Sequence, residues 1–193
     1  AVYGFLNIMF KILDEEKPEY LTVTFDVHAP TFRHEMFADY KGTRKPMAEE
    51  LRQQVPVIKD VLRAMHIEVI EKAGLEADDL LGTLSHRCEE KGMDVSIISG
   101  DRDTLQLATE HIKIRIPKTK QGKTEVEDYY AADVQERYGV TPKEFIDVKA
   151  LMGDTADNIP GVPGVGEKTA TKIIQQYQTI ENAYEHVDEL KPP

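Results

Sequence analysis

The chain has 193 residues, 40% of them hydrophobic and 31% charged, which fits one domain with a compact attachment and excludes a disordered polymer. No apolar run approaches the roughly 18 residues of a spanning helix, and the single cysteine, Cys88, excludes an internal disulfide and fits a reducing compartment. A net charge of −11 argues against a nucleic-acid partner unless cations engage the carboxylates, so where the acids sit matters more than how many there are.

In chain order, Val2, Phe5, Ile8, Met9 and Ile12 share one face of an amphipathic first helix, with no basic leader or signal peptide ahead of it. Tyr20 to Phe25 (YLTVTF) predicts a short strand ending at Asp26. A polar stretch runs from His28 to Lys45, and Ala48 to Met65 has helical spacing that Pro56 is expected to kink or split. Ile67 to Ile70 is a second strand, and Ala77 to Lys91 is a helix closed by Gly92. Val95 to Ile98 (VSII) is the near-continuous apolar run expected of a strand buried on both faces. Asp103 to Ala108 predicts a short helix and Ile112 to Ile116 a strand. Gly122 marks a hairpin turn within Lys118 to Lys123, ahead of Glu125 and Val126. Beyond Tyr129, helical patterns cover 131–138, 142–152, 166–177 and 179–187. The predicted fold class is α/β: a mostly parallel sheet flanked by helices over residues 1–128, then a helical subdomain over 129–193.

Four acidic groups fall at matching places in this pattern. Asp26 ends the first strand, and Glu76, Asp78 and Asp79 (EADD) open the helix after the second. Asp101 and Asp103 (SGDRD) follow the third strand, and Asp154 and Asp157 (GDTADN) follow the 142–152 helix. Ligands of an open parallel sheet bind outside the carboxyl ends of its strands. The first three groups are therefore expected in one region, with the fourth folded over it. Each motif alone also fits a local role: EADD as a helix cap, SGDRD as a turn and cap, GDTADN as a polar loop. Together, eight carboxylates without clustered His or Cys make a hard-oxygen set that selects Mg²⁺ or Mn²⁺ over zinc. Two ions about 4 Å apart suit in-line phosphodiester hydrolysis, and eight acids exceed the needs of one.

Two further stretches suit nucleic acid. GVPGVGEK, Gly161 to Lys168, leads into a helix whose free N–H groups, with Lys168 and Lys172, suit an anion. This is the pattern of a helix–hairpin–helix element that grips a DNA phosphate without reading sequence; ordinary Gly/Pro punctuation is the alternative. Between His28 and Lys45, Arg33, Lys41, Arg44 and Lys45 interleave with Phe32, Phe37 and Tyr40, which suits a single strand by phosphate pairing and base stacking. A solvated surface is the alternative there.

The runs FDVHAPTFRHEMFADYKGTR, LEADDLLGTL, VSIISGDRDTLQL and LMGDTADNIPGVPGVGEKTA, in that order, resemble the 5′-nuclease (5′→3′ exonuclease) domains of bacterial DNA polymerase I, in the flap endonuclease superfamily. The resemblance covers the whole chain. It implies a PIN-like nuclease core carrying a helical arch over about residues 30–62, and a helix–three-turn–helix in the second subdomain. It implies that Asp26, Glu76, Asp78 and Asp101 serve a first metal with Asp79 beside them, and that Asp103, Asp154 and Asp157 serve a second. Lys41 and Arg44 match the arch residues that act on the scissile phosphate, with Arg33 and Tyr40 in the same element. Gly161, Gly164, Val165, Gly166, Lys168, Thr169 and Lys172 match the duplex grip, which in the family often carries K⁺. The implied substrates are DNA with 5′ flaps, nicks or RNA primers, acted on by a monomer fused to polymerase domains in the bacterial cytoplasm, associated with the nucleoid.

In this family a strand ending in Asp-Gly precedes the first helix, and its aspartate is a metal ligand. The chain is accordingly expected to be a piece of a longer protein lacking that strand, its rate lowered on the order of 10²–10⁴. Two alternatives stay open: a catalytically impaired fragment that still binds branched DNA, and a metal-dependent ribonuclease on a similar core, which the GVPGVGEK grip disfavours.

Overall fold

The computed structural model describes residues 1–120 and 123–190, apart from the side chains of 119, 120, 123 and 124. The turn expected at Gly122 lies outside the described residues. Helix α1 (Val2–Glu16) buries Met9 and Ile12 and ends at Lys17, whose left-handed backbone (φ 45°) returns its N–H to the Leu13 carbonyl. Strand β1 (Thr22–Thr24) pairs in parallel with β2 (Glu68–Ile70), Val23 opposite Val69.

Between those strands lie α2 (Phe32–Met36), α3 (Glu49–Arg52) and α4 (Gln54–Ala64). The helical stretch divides at Gln53 and not at Pro56. Pro56 sits in the first turn of α4, where its missing N–H costs no intrahelical bond. Helix α5 (Ala77–Glu89) closes through Gly92 at φ 76°: the Gly92 N–H donates to Glu89 O at 2.8 Å and the Met93 N–H to Cys88 O at 3.1 Å.

Strand β3 (Val95–Ile98) pairs in parallel with β4 (Ile112–Lys120), and β4 pairs with β5 (Lys123–Tyr129) in the antiparallel sense. The parallel pairs belong to two small sheets, β1-β2 and β3-β4-β5. The β4-β5 pair is antiparallel because so short a connection leaves no room for a crossover. Of β3 only Ile97 is fully buried. Its other face meets the charged end of α1, where the Ser96 hydroxyl donates to Glu16 at 2.6 Å, so the strand is not apolar on both sides. A short 3₁₀ helix (Arg102–Leu107) follows β3.

Helices α6 (Ala131–Tyr138), α7 (Pro142–Met152), α8 (Glu167–Tyr177) and α9 (Ile180–Glu185) complete the fold, the last pattern giving way at His186 to a 3₁₀ turn. One core joins Ile97, Ile112, Ile114 and Ile116 of the sheet to Val134, Phe145, Val148 and Ile174 of the helices. A smaller core of Met9, Ile58 and Leu62 seats α1 and α4 against Val23 and Val69. Arg115 of β4, its side chain 7% exposed, joins the two regions through Glu15 at 2.9 Å, Glu16 at 2.7 Å and Asp128 at 2.8 Å. A guanidinium this buried persists because carboxylates surround it. Among the described residues no helix is long and apolar enough to cross a membrane.

Candidate active site

The acids lie along one continuous path, and all but Asp78 have a local partner. Asp26, two residues past β1, accepts the Ala77 N–H at 2.6 Å and so links that strand to the start of α5. Asp79 accepts the Glu76 N–H at 2.9 Å, so part of EADD does cap the helix. Asp79 is also held by both guanidinium nitrogens of Arg33, each at 2.8 Å, and this pairing keeps its pKa below the ordinary carboxylate value. Arg33 is correspondingly pushed further up.

Asp78 is the exception in the motif. Burial, then repulsion from Asp101, Asp26 and Glu76, raises its carboxyl from 3.8 to about 6. Four acids from three separate segments therefore share one electrostatic neighbourhood. Asp101 caps the 3₁₀ helix by accepting the Asp103 N–H at 2.9 Å, so the turn role and the cluster role coexist in one residue. Asp103 is raised by burial, against the pull of Lys149, with Asp101 and Asp154 adding to the rise.

Lys149 of α7 carried no signal in the sequence, yet its ammonium lies 3.0 Å from Asp103 and 2.9 Å from Asp154. Burial works against ionisation of Asp154, but Lys149 and the N–H groups of Asp157 and Ala156 hold its pKa below the ordinary value. Asp157 in turn meets Tyr40, which connects it to Glu76: the Tyr40 hydroxyl lies 2.9 Å from Asp157 and 3.0 Å from Glu76. Burial and these two carboxylates push the phenol well above its ordinary pKa.

The eight carboxylates thus form neighbouring groups, not one coordination sphere, and among the described residues no three of them converge as ion ligands. The physical reason is that like charges repel, and basic side chains lie between them. Lys41 reaches Glu76 at 2.7 Å, and Arg44 pairs with Asp157. The backbone joins in. Lys41 N–H donates to Asp157 O at 2.8 Å, Arg44 Nε to Ala156 O at 3.1 Å, and the Asn158 amide to Asp39 O at 2.8 Å. The segment holding Arg33, Tyr40, Lys41 and Arg44 is therefore sewn to the GDTADN loop, a contact that the sequence reading missed.

Tyr40 differs from its expected role as a stacking surface. It is only 5% exposed, its hydroxyl turned into the acids and the His34 ring edge-on at 5.2 Å. Phe32 and Phe37, by contrast, remain open to solvent.

In the GVPGVGEK turn the glycines divide their tasks. Gly164 has φ 79° and sits on the surface, whereas Gly161 is pressed against the Met152–Gly153 backbone. Val165 packs toward the main core, and Gly166 begins α8 without a side-chain cap. Lys168, Thr169 and Lys172 are exposed on that helix. A start of α8 without a side-chain cap and with two exposed lysines suits an anion.

Comparison with known proteins places the chain in a family and a fold. Residues 1–139 match the family of 5'-3' exonuclease N-terminal resolvase-like domains, and residues 140–193 match the 5'-3' exonuclease C-terminal SAM fold. The chain belongs to the 5'-3' exonuclease family. It is 49% identical over 191 residues to DNA polymerase I of Bacillus caldotenax, and 47% identical over 190 residues to that of Bacillus subtilis. Those alignments cover 99% and 98% of the chain but only 22% and 21% of the relatives, so the chain spans about a fifth of their length. Among solved structures, bacteriophage T5 5'-exonuclease with divalent zinc ions bound aligns with a TM-score of 0.79 and 26% identity, over 100% of this chain and 72% of that one. The T5 flap endonuclease in a pseudo-enzyme-product complex with DNA and metal ions gives 0.77 and 25%, over 100% and 71%. The catalytic core of Rad2, at 20% identity and a TM-score of 0.64 over 100% of this chain and 57% of that one, shares the fold.

Proposed function

We propose that this chain is a divalent-cation-dependent 5′→3′ exonuclease and 5′-flap endonuclease, hydrolysing DNA phosphodiesters at 5′ flaps, nicks and RNA primers. The carrying observation is that Asp26, Glu76, Asp78 and Asp101, from three separate segments, share one electrostatic neighbourhood, in which their mutual repulsion helps raise the Asp78 carboxyl. Uncompensated anions of this kind are a cation site in waiting, and a donor set made only of oxygen suits Mg²⁺ or Mn²⁺. Asp26, Glu76, Asp78 and Asp101, with Asp79 alongside, would hold one ion, and Asp103, Asp154 and Asp157 a second. Bound there, the ions would activate the attacking water and offset charge on the leaving oxygen.

The chain's own residues supply orientation and charge. Lys41 and Arg44 bind the scissile phosphate and offset the charge that develops on it. Arg33 fixes Asp79 and thereby the first turn of α5, on which Glu76 and Asp78 depend. Gly161 to Gly166, with Lys168, Thr169 and Lys172, hold downstream duplex phosphates, and K⁺ is the ion expected at that turn. Water attacks phosphorus, the P–O3′ bond breaks, and the products carry 5′-phosphate and 3′-hydroxyl ends. The reading extends to a monomeric unit with its boundary near 128/129, joined to polymerase domains and working at the nucleoid in the cytoplasm.

Cleavage of a 5′-labelled DNA flap by this chain tests the proposal. Cutting at the junction with Mg²⁺, lost with EDTA and in Asp101→Ala, is the expected result. Binding of branched DNA in Ca²⁺ without cleavage in Mg²⁺ or Mn²⁺ would instead favour the non-catalytic binding role. Preference for an all-RNA substrate would favour the ribonuclease.

A further inference from the structure

Glu76, Asp103, Asp154 and Asp157, four of the acids that would receive a divalent ion, already hold a cation supplied by the chain. Lys149 bridges Asp103 and Asp154 at 3.0 and 2.9 Å. Lys41 reaches Glu76 at 2.7 Å, and Arg44 holds Asp157. We propose that Lys149, with Lys41 and Arg44, is a built-in counter-cation that positions the acids in the ion-free protein and is displaced when divalent ions bind, so that the same event that loads the site releases its basic side chains. This rests on the reading of the acids as a divalent-cation site.

The exclusion is geometric and electrostatic. An ion coordinated at about 2.1 Å by a carboxylate oxygen that also holds an ammonium would face that ammonium within about 5 Å, in a partly buried site where screening is weak. The two repel across the shared oxygen, and a doubly charged ion draws the neighbouring carboxylates more strongly than a single ammonium does. Tyr40 sharpens the point. Its hydroxyl has one proton but stands 3.0 and 2.9 Å from two carboxylates, so it can donate to only one at a time. Lys41 and Arg44 offset the anion left over.

Release is confined to side chains. Lys41 N–H to Asp157 O and Asn158 to Asp39 O involve neither the ammonium nor the guanidinium, so the 39–44 segment stays docked while the Lys41 and Arg44 side chains swing free. Arg33 behaves differently. Its partner Asp79 is committed to capping α5 through the Glu76 N–H, so the Arg33–Asp79 pair stays closed.

Lysine acylation read by mass spectrometry tests this directly, comparing Ca²⁺ with Na⁺ at matched ionic strength, alongside calorimetry of Ca²⁺ binding. Lys41 and Lys149 are expected to label at least about threefold faster once Ca²⁺ saturates, while exposed Lys168 and Lys172 keep their rates. Glu76→Gln is expected to free Lys41 without Ca²⁺ and to leave Lys149 protected. Ca²⁺ binding with unchanged or slower labelling of Lys41 and Lys149 overturns the exchange and leaves the cation site standing. Absence of any Ca²⁺ binding overturns both.

Discussion

Gly153 and Gly161 lie with their backbones in contact: a Cβ on Gly153 would come within 2.3 Å of the Gly161 nitrogen, and one on Gly161 within 2.3 Å of the Met152 carbonyl carbon. The obstacle in both cases is main chain, which cannot rotate away, and Gly153 adds a left-handed φ of 74°. This contact folds the GDTADN loop back onto the end of α7, where Val162 N–H donates to Leu151 O at 2.8 Å. Gly161→Ala is therefore expected to destabilise the protein by at least about 2 kcal/mol. It should weaken both cation and DNA binding, because Asp154 and the duplex grip hang on the two sides of the contact. Chemical denaturation and DNA binding in Ca²⁺ check this; an unchanged denaturation midpoint would show that the loop can open at that point.

The raised carboxyl of Asp78 gives a pH signature of definite sign. Its folded value, about 6, exceeds the ordinary 3.8, so the folded state holds a proton that the unfolded chain releases between those values. Ionised Asp78 thus costs stability above pH 6, and the cost disappears as pH falls toward 3.8. Asp78→Asn is expected to stabilise the ion-free protein by about 1–2 kcal/mol at pH 7.5, less than full linkage because the carboxylate keeps some solvent. The advantage should vanish at pH 4. Saturating Ca²⁺ should reverse the order, and cleavage in Mg²⁺ should fall by about 10² or more. Thermal melts at pH 4 and 7.5, with and without Ca²⁺, read all of this.

Arg115 makes a contrasting prediction on stability alone. It gathers Glu15, Glu16 and Asp128, so Arg115→Met removes the cation these three carboxylates share and leaves a buried position without its ion pairs. The expected cost at pH 7 is about 3 kcal/mol. For Glu16, burial opposes ionisation, but the bonds from Lys113 and Ser96 and the nearby Arg115 charge hold its pKa below the ordinary 4.5. A depressed acid contributes stability above its unfolded pKa and loses it as pH falls through the folded one. Wild-type stability should accordingly decline below pH 4.5, and the variant should show a shallower decline, as urea denaturation across pH 3–7 would measure.

Much of the fold was legible because its signals are local. The helix closed by Gly92, the VSII strand and the four C-terminal helices each carry their own spacing or cap, and they form where that spacing puts them. The acids were legible as a set because strand ends and helix starts are positions that a pattern can locate. What a pattern does not carry is the partner. Lys149 looks like any surface lysine of an amphipathic helix, and only the packing of α7 against the 3₁₀ helix brings Asp103 to it. Tyr40 reads as one more aromatic in a basic stretch, and only the fold turns its hydroxyl toward Glu76 and Asp157. Pro56 was a local signal read too strongly, since a first-turn proline needs no donor.

The exposed start of α8 yields the last expectation. Lys168 and Lys172 are one turn apart and solvent-facing, so under the proposed function they are expected to serve phosphate binding and not chemistry. Removing both as Lys168→Ala/Lys172→Ala should lower duplex affinity by a similar factor for every sequence. Each lost phosphate contact should reduce the slope of log affinity against log salt by about 0.9, so the double variant should lose about 1.8. Cleavage at saturating DNA should stay within about twofold of wild type, because the phosphate being cut is bound elsewhere. Fluorescence anisotropy from low to moderate salt in Ca²⁺ measures the slope, and single-turnover cleavage in Mg²⁺ measures the rate. An unchanged slope would place the duplex on another face, and a collapsed single-turnover rate would tie α8 to the chemistry itself.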